Sequence, residues 1–231
     1  MNLFCFPFAG GNKYSYNHFL PFAAKKIKII PLELPGRGAR MREPFITNMN
    51  EMVSDLYKII VHDLSKPYAF YGHSMGAVLA FLMVKRIVND NLTPPVYLFV
   101  SGKEAPSVSN KNPIRHLMPR EEFIAELREM GGSPEQLLDD DELMNFFEPV
   151  LRADFQAMEL YEYEKTSPLQ IPVLAMIGLD EDITEEEVQA WQEETIQKIE
   201  IMKFEGKHFF IFNYSKEIMA LINKRLSGFL H

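Results

Sequence analysis

The chain has 231 residues, 47% of them hydrophobic, and a formal charge of -8 from 32 acidic and 24 basic side chains. A chain of this length can bury one sizeable core, so a single domain spanning residues 1–231 is the starting expectation. The acidic balance, without any run of Lys or Arg, excludes the basic footprint by which nucleic acids and anionic membranes are bound.

The single cysteine, Cys5, cannot form an internal disulfide, so the fold does not depend on an oxidising compartment. Residues 1–8 lack the basic segment and small-residue cleavage site of a secretory signal and read as the start of a strand. No apolar run approaches the roughly 20 residues that span a bilayer. A cytoplasmic location is expected.

Short apolar runs at 3–6, 27–32, 68–71, 96–100, 173–177 and 199–204 have the length and composition of strands buried on both faces. Between or after them, 48–64, 74–88, 185–198 and 215–226 place apolar residues at helical spacing opposite polar ones. This alternation predicts an α/β fold, a mostly parallel sheet with flanking helices. Residues 103–166 break the rhythm. They hold no convincing strand, only helix-like pieces at 120–130 and 142–162, bounded or interrupted by Pro119, the Gly131-Gly132-Ser133-Pro134 turn, Pro149 and Pro168. An insertion of that length after a predicted strand, where α/β sheets open their ligand crevices, predicts a helical lid over an active site. A helical subdomain that merely packs is the alternative.

The strongest local signal is Gly72-His73-Ser74-Met75-Gly76, which fits G-x-S-x-G with an apolar strand before it and a helical pattern after it. So sharp a strand-to-helix turn places Ser74 in strained backbone geometry, and the flanking glycines let the backbone bend and the helix approach the sheet. The Ser74 hydroxyl is then exposed at a helix N-terminus that favours developing negative charge. An ordinary turn with a helix-capping serine is the bland reading, so the remainder of the chain must supply partners.

In an α/β-hydrolase the chain order is nucleophile, acid, histidine. Only His208 follows shortly after the last predicted strand, behind Gly206, as a general base should; His62 and His231 read as surface residues, His18 and His116 as loop residues, and His73 as the nucleophile's neighbour. For the acid, the strand 173–177 runs into Gly178-Leu179-Asp180-Glu181-Asp182. Asp180 is the first choice because it lies closest to the rigid strand end, Asp182 the alternative and Glu181 the third. An acidic helix cap near Thr184 competes for some of these charges. For an oxyanion hole, the candidates are the N–H of Met75, next after the nucleophile, and the N–H of Ala9, with Phe8 beside it, in the glycine-rich loop after the first strand.

These segments together resemble the type II thioesterases that serve nonribosomal peptide and polyketide synthases. That family carries an early F-P-x-A-G-G, a P-G-R-G, G-H-S-M-G, a G-G-x-P turn, L-R-A-D and a final G-x-H. Here they fall at Phe6–Gly11, Pro35–Gly38, Gly72–Gly76, Gly131–Pro134, Leu151–Asp154 and Gly206–His208, in the expected order over nearly the whole chain. The resemblance implies Ser74 and His208 as catalytic residues and favours Asp180, which precedes a helix bearing Trp191. The family leaves two residues between glycine and acid, whereas only Leu179 separates Gly178 from Asp180, so Asp180 and Asp182 both stay open. Position 8 is Phe where many relatives have His, and the short N-terminus implies that an edge strand of larger hydrolases is missing.

By this resemblance the chain hydrolyses acyl thioesters on the phosphopantetheine arm of an acyl or peptidyl carrier protein, clearing stalled or mis-primed groups through an acyl-enzyme on Ser74. Such chemistry needs no metal or redox cofactor. Phe8, Phe146, Phe147, Phe155 and Met158 are candidate substrate-binding residues, and Arg37, Arg40, Arg42 and Lys103 a candidate basic patch for an acidic carrier. A carboxylesterase or lipase acting on free esters, and a non-catalytic binding module of the same fold, are the competing readings.

Overall fold

The computed structural model describes residues 1–109, 113–133 and 135–230; Pro134 and His231, singled out above, lie outside the described residues. Six strands form one sheet: β1 (Asn2–Phe6), β2 (Lys28–Pro31), β3 (Tyr68–His73), β4 (Leu98–Ser101), β5 (Val173–Gly178) and β6 (Glu200–Phe204), in the order β2-β1-β3-β4-β5-β6. Every pairing is parallel, as expected for strands joined by helical crossovers.

The alternation of side chains along each strand sorts the core into two layers. Phe4, Phe6, Phe70, Val100, Ala175 and Ile177 face one layer, which is covered by α1 (Met49–Ile60) and α2 (Met75–Asn89). Leu3, Cys5, Tyr71, Phe99, Leu174 and Met176 face the other, covered by α7 (Ser215–Leu226) and by Phe19. Residues Met75 to Val84 of α2 are all buried, so this helix is apolar nearly all round, as a helix packed between the sheet and α1 must be. Asn48 caps α1 by accepting from the amides of Asn50 and Glu51.

The insertion is helical: α3 (Arg120–Met130), a short α4 (Glu135–Leu138) and α5 (Asp141–Glu159). Phe123, Leu127, Leu138, Met144, Leu151 and Phe155 give it a small core of its own. Pro149 does not end a helix; α5 runs through it. The segment 185–198 departs from expectation, because α6 (Glu185–Gln189) gives way to a tighter turn over Ala190–Glu194. Just beyond it, the Thr195 hydroxyl donates to Ile171 O at 2.7 Å, with Leu169 O a longer contact at 3.2 Å, drawing the chain against the segment entering β5. Among the described residues, no helix is long and apolar enough to cross a membrane.

Candidate active site

Ser74 is the single residue between β3 and α2, and its backbone sits at φ 54°, ψ -121°. A side chain with Cβ avoids this region at a cost of about 1–3 kcal/mol, so the surroundings must enforce it. They do so through two glycines and two hydrogen bonds. A Cβ on Gly72 would lie 2.0 Å from the Gly76 carbonyl oxygen, and one on Gly76 would lie 2.4 Å from the Phe6 carbonyl oxygen. Ser74 N–H donates to Ser101 O at 2.8 Å, and Ala77 N–H to Ser74 O at 2.9 Å. The N–H of Met75, in the first turn of α2, has no intrahelical acceptor. It lies with Ser74 and Ala9 on the wall of one open cavity of about 280 Å³.

The loop carrying Ala9 leaves β1 in a turn closed by Gly11 N–H to Phe8 O at 2.8 Å, with Gly10 at φ +75° in the position that requires it. The N–H of Ala9 has no hydrogen-bond partner among the described residues, which leaves it available to an oxyanion.

His208 reaches the same cavity from the loop after β6, where Gly206 turns at φ +106°. Its Nδ1 lies 2.6 Å from Oε1 of Glu181, and both side chains are largely buried, 18% and 3% exposed. The carboxylate that meets the imidazole is thus Glu181, the third of the three expected candidates. Asp180 and Asp182 also border the cavity, but both are exposed, and neither is the carboxylate at the imidazole. Asp180 is used through its backbone, its N–H donating to Gly206 O at 3.1 Å, in register with Leu179 N–H to Phe204 O. These two bonds carry the β5–β6 ladder past the strand end and leave Glu181 to turn back. Its second oxygen accepts from Gly178 N–H at 2.6 Å, fixing the carboxylate. Two residues separate Gly178 from Glu181, the glycine-to-acid spacing of the resembling family, whereas the first-choice Asp180 lies one residue closer.

With Nδ1–H donating to Glu181, Nε2 of His208 is the acceptor nitrogen, buried and without a hydrogen-bond partner among the described residues. The His73 ring packs against the His208 ring, tilted by 42° at a centroid distance of 4.7 Å, and bonds Ser101 Oγ through Nδ1 at 3.0 Å. Burial, reinforced by the neighbouring His208, holds His73 well below the ordinary histidine range, so it stays neutral. Gly102, at φ +57°, keeps the space between these groups open: a Cβ there would lie 2.4 Å from His73 Cε1 and 3.3 Å from Glu181 Oε1.

Of the expected substrate contacts, Phe155 and Met158 line the cavity, one helical turn apart on α5. Phe146 and Phe147 do not. Phe146 is nine residues from Phe155, about half a revolution around the helix, and is 54% exposed; Phe147 lies eleven residues before Met158, roughly 16 Å down the axis. Phe8 is core, packed edge-on against Tyr16, His73, Phe209 and Phe212. The proposed basic patch is not assembled either. Arg37 is buried against Asp154, Arg40 is paired with Asp55 and Glu43, and Lys103 with Glu104 on the cavity wall; only Arg42 is exposed. The helical insertion is moored beside His208, where Gly132 abuts the Phe209 ring and Lys207 bonds Glu129 of α3. Trp191 is wholly buried and donates Nε1–H to Lys103 O, anchoring the start of the insertion.

A family model described as a thioesterase domain matches residues 1–226. The gramicidin S biosynthesis protein GrsT of Aneurinibacillus migulanus is 36% identical over 98% of this chain and 89% of its own length. Among solved structures, ClbQ from the colibactin NRPS/PKS pathway superposes with a TM-score of 0.93 at 29% identity, covering 99% of this chain and 97% of that one. The type II thioesterase BorB from the borrelidin biosynthetic cluster gives a TM-score of 0.87 at 30% identity over 98% and 91%.

Proposed function

The chain belongs to the thioesterase family, and from that premise we propose that it is an editing thioesterase in which Ser74, His208 and Glu181 form the catalytic triad. One observation carries this reading: a serine held at φ 54° on a strand-to-helix turn shares a cavity with a histidine whose other nitrogen is bonded to a buried carboxylate. That is the arrangement of nucleophile, base and orienting acid.

His208 Nε2 takes the proton of Ser74 Oγ as the oxygen attacks the thioester carbonyl. Glu181 holds the imidazole tautomer and stabilises the imidazolium without itself taking the proton. Charge on the tetrahedral oxygen is met by the N–H groups of Met75 and Ala9 and by the N-terminal end of α2. Collapse breaks the C–S bond, and the imidazolium returns its proton to the departing thiolate. Water then enters, loses a proton to His208, attacks the acyl-serine carbonyl and releases the acid with Ser74 regenerated. The substrate is an acyl thioester on the phosphopantetheine arm of a carrier protein, which supplies the partner. Support comes from GrsT, ClbQ and BorB, whose names tie them to gramicidin S biosynthesis, the colibactin NRPS/PKS pathway and the borrelidin biosynthetic cluster.

The cavity of about 280 Å³ falls just below the roughly 300–1,000 Å³ typical of ligand pockets, which favours short acyl groups. Incubating the enzyme with a slowly deacylated thioester and mapping the adduct by mass spectrometry tests the nucleophile. The expected result is an acyl group on the peptide containing Ser74 and none in Ser74→Ala; an adduct elsewhere, or full turnover by Ser74→Ala, contradicts it.

A further inference from the structure

Three of the sequence motifs meet at one buried ion pair that the chemistry above does not use. Arg37, from the Pro35–Gly38 segment, donates Nη1–H to Asp154 Oδ2 at 2.6 Å and Nη2–H to Asp154 Oδ1 at 2.7 Å. Asp154 belongs to α5 of the lid, and the two side chains are 5% and 0% exposed. The same Asp154 Oδ2 accepts the N–H of Gly10 at 2.8 Å, and Arg37 Nη1 also reaches Gly11 O at 3.4 Å. One helical turn earlier on α5, Leu151 presses on the same loop, so that a Cβ on Gly10 would lie 2.6 Å from Leu151 Cδ2.

We propose that Arg37 and Asp154 are positioning residues for the oxyanion hole, holding Gly10 from the lid side and thereby aiming the N–H of the adjacent Ala9 at the reacting carbonyl. This rests on the reading of Ser74, Ala9 and Met75 given above. The physical reason is the turn itself. Gly10 is the most permissive residue of the loop, and it sits at φ +75°; the Gly11 N–H to Phe8 O bond closes the turn with the central Ala9–Gly10 peptide in either orientation, so an external acceptor is needed to fix it. A carboxylate receiving that N–H, and locked by a bidentate guanidinium, specifies it. Two further contacts brace the loop's flanks: Tyr16 Oη donates to Phe6 O at 2.6 Å, and Glu33 Oε1 accepts Lys13 N–H at 3.1 Å. A consequence is that the Leu151–Asp154 turn of α5 is a fixed root of the lid, tied to the oxyanion loop.

Breaking the pair singly leaves a buried charge, so the informative variant removes both charges at once. The double variant Arg37→Met, Asp154→Leu replaces a buried ion pair with apolar groups of similar size, an exchange that is often neutral for stability. It is compared with wild type and with Asp154→Asn for melting temperature, for kcat and KM on an acyl thioester, and for inhibition by a trifluoromethyl ketone, whose serine adduct places an oxyanion in the hole. The expected result for the double variant is a melting temperature close to wild type, kcat lower by about 100-fold, KM within about twofold, and inhibitor affinity weakened in parallel with kcat. A purely structural pair would move the melting temperature without that split. Wild-type kcat in either variant that folds, or a lower kcat with unchanged inhibitor affinity, overturns the proposal. A wild-type enzyme that cleaves no thioester, or a Ser74→Ala variant that still does, instead overturns the reading on which it rests.

Discussion

Glu181 Oε1 lies 2.6 Å from His208 Nδ1, while Glu181 Oε2 takes the amide of Gly178 at 2.6 Å, so one carboxylate both faces the imidazole and is fixed to the end of β5. Glu181→Gln leaves this geometry nearly isosteric but removes the charge that selects the Nδ1–H tautomer. The expected outcome is a kcat lower by about 10³- to 10⁴-fold with little change in melting temperature. Asp180→Asn and Asp182→Asn, both at exposed positions, are expected to stay within about threefold of wild type. Steady-state kinetics on the three variants decides among the carboxylates.

The strained serine is held by steric exclusion at the glycines around it. Gly76→Ala forces a methyl group against Phe6 O, 2.4 Å from an ideal Cβ, where only backbone could move aside. A destabilisation of more than about 3 kcal/mol by chemical denaturation is expected. Gly228→Ala meets no atom within 4 Å and serves as the control, expected within about 0.5 kcal/mol of wild type.

Two histidines link stability to pH. Burial lowers His18 from 6.5 to about 4 and holds His73 well below its ordinary value. The unfolded chain therefore binds protons on these rings that the folded chain refuses. Their neutral burial is tolerated above the unfolded value of 6.5, and stability is lost progressively as pH falls from there toward about 4. The melting temperature should drop across that window, and less steeply in His18→Gln. An identical slope in that variant would show that His18 does not contribute.

Met158 and Phe155 set the apolar wall of the cavity. Met158→Trp adds bulk there and is expected to raise KM for longer acyl groups by about tenfold while sparing acetyl, whereas Phe146→Ala, which alters a side chain outside the cavity, should leave both unchanged. Kinetics with acetyl and hexanoyl thioesters checks both.

The sheet was readable because burial on both faces writes continuous apolar runs in β1, β3, β4 and β5, and all six strands begin and end within about two residues of their expected limits. The strained strand-to-helix turn at Ser74 was readable because Gly72 and Gly76 are required by contact with backbone, which no other residue satisfies. Which carboxylate meets His208 was not, since three follow Gly178 and their placement depends on how β5 and β6 continue pairing, visible only in the bonds of Leu179 and Asp180. Helical spacing marked Phe146 and Phe147 as readily as Phe155 and Met158, because periodicity describes a face and not what the face meets. Arg37 looked like surface charge; its burial follows from Asp154, which lies 117 residues away in the chain.

The central claim is that Ser74 serves thioester hydrolysis on carrier proteins, and one measurement tests it most directly. Release of acetyl from an acetyl-phosphopantetheinyl carrier protein is followed alongside cleavage of p-nitrophenyl acetate, for wild type and Ser74→Ala. Carrier clearance with the higher kcat/KM of the two reactions, abolished in Ser74→Ala, is the expected result. A carrier that stays acylated while the oxyester is turned over would contradict it and make the protein an esterase of free esters.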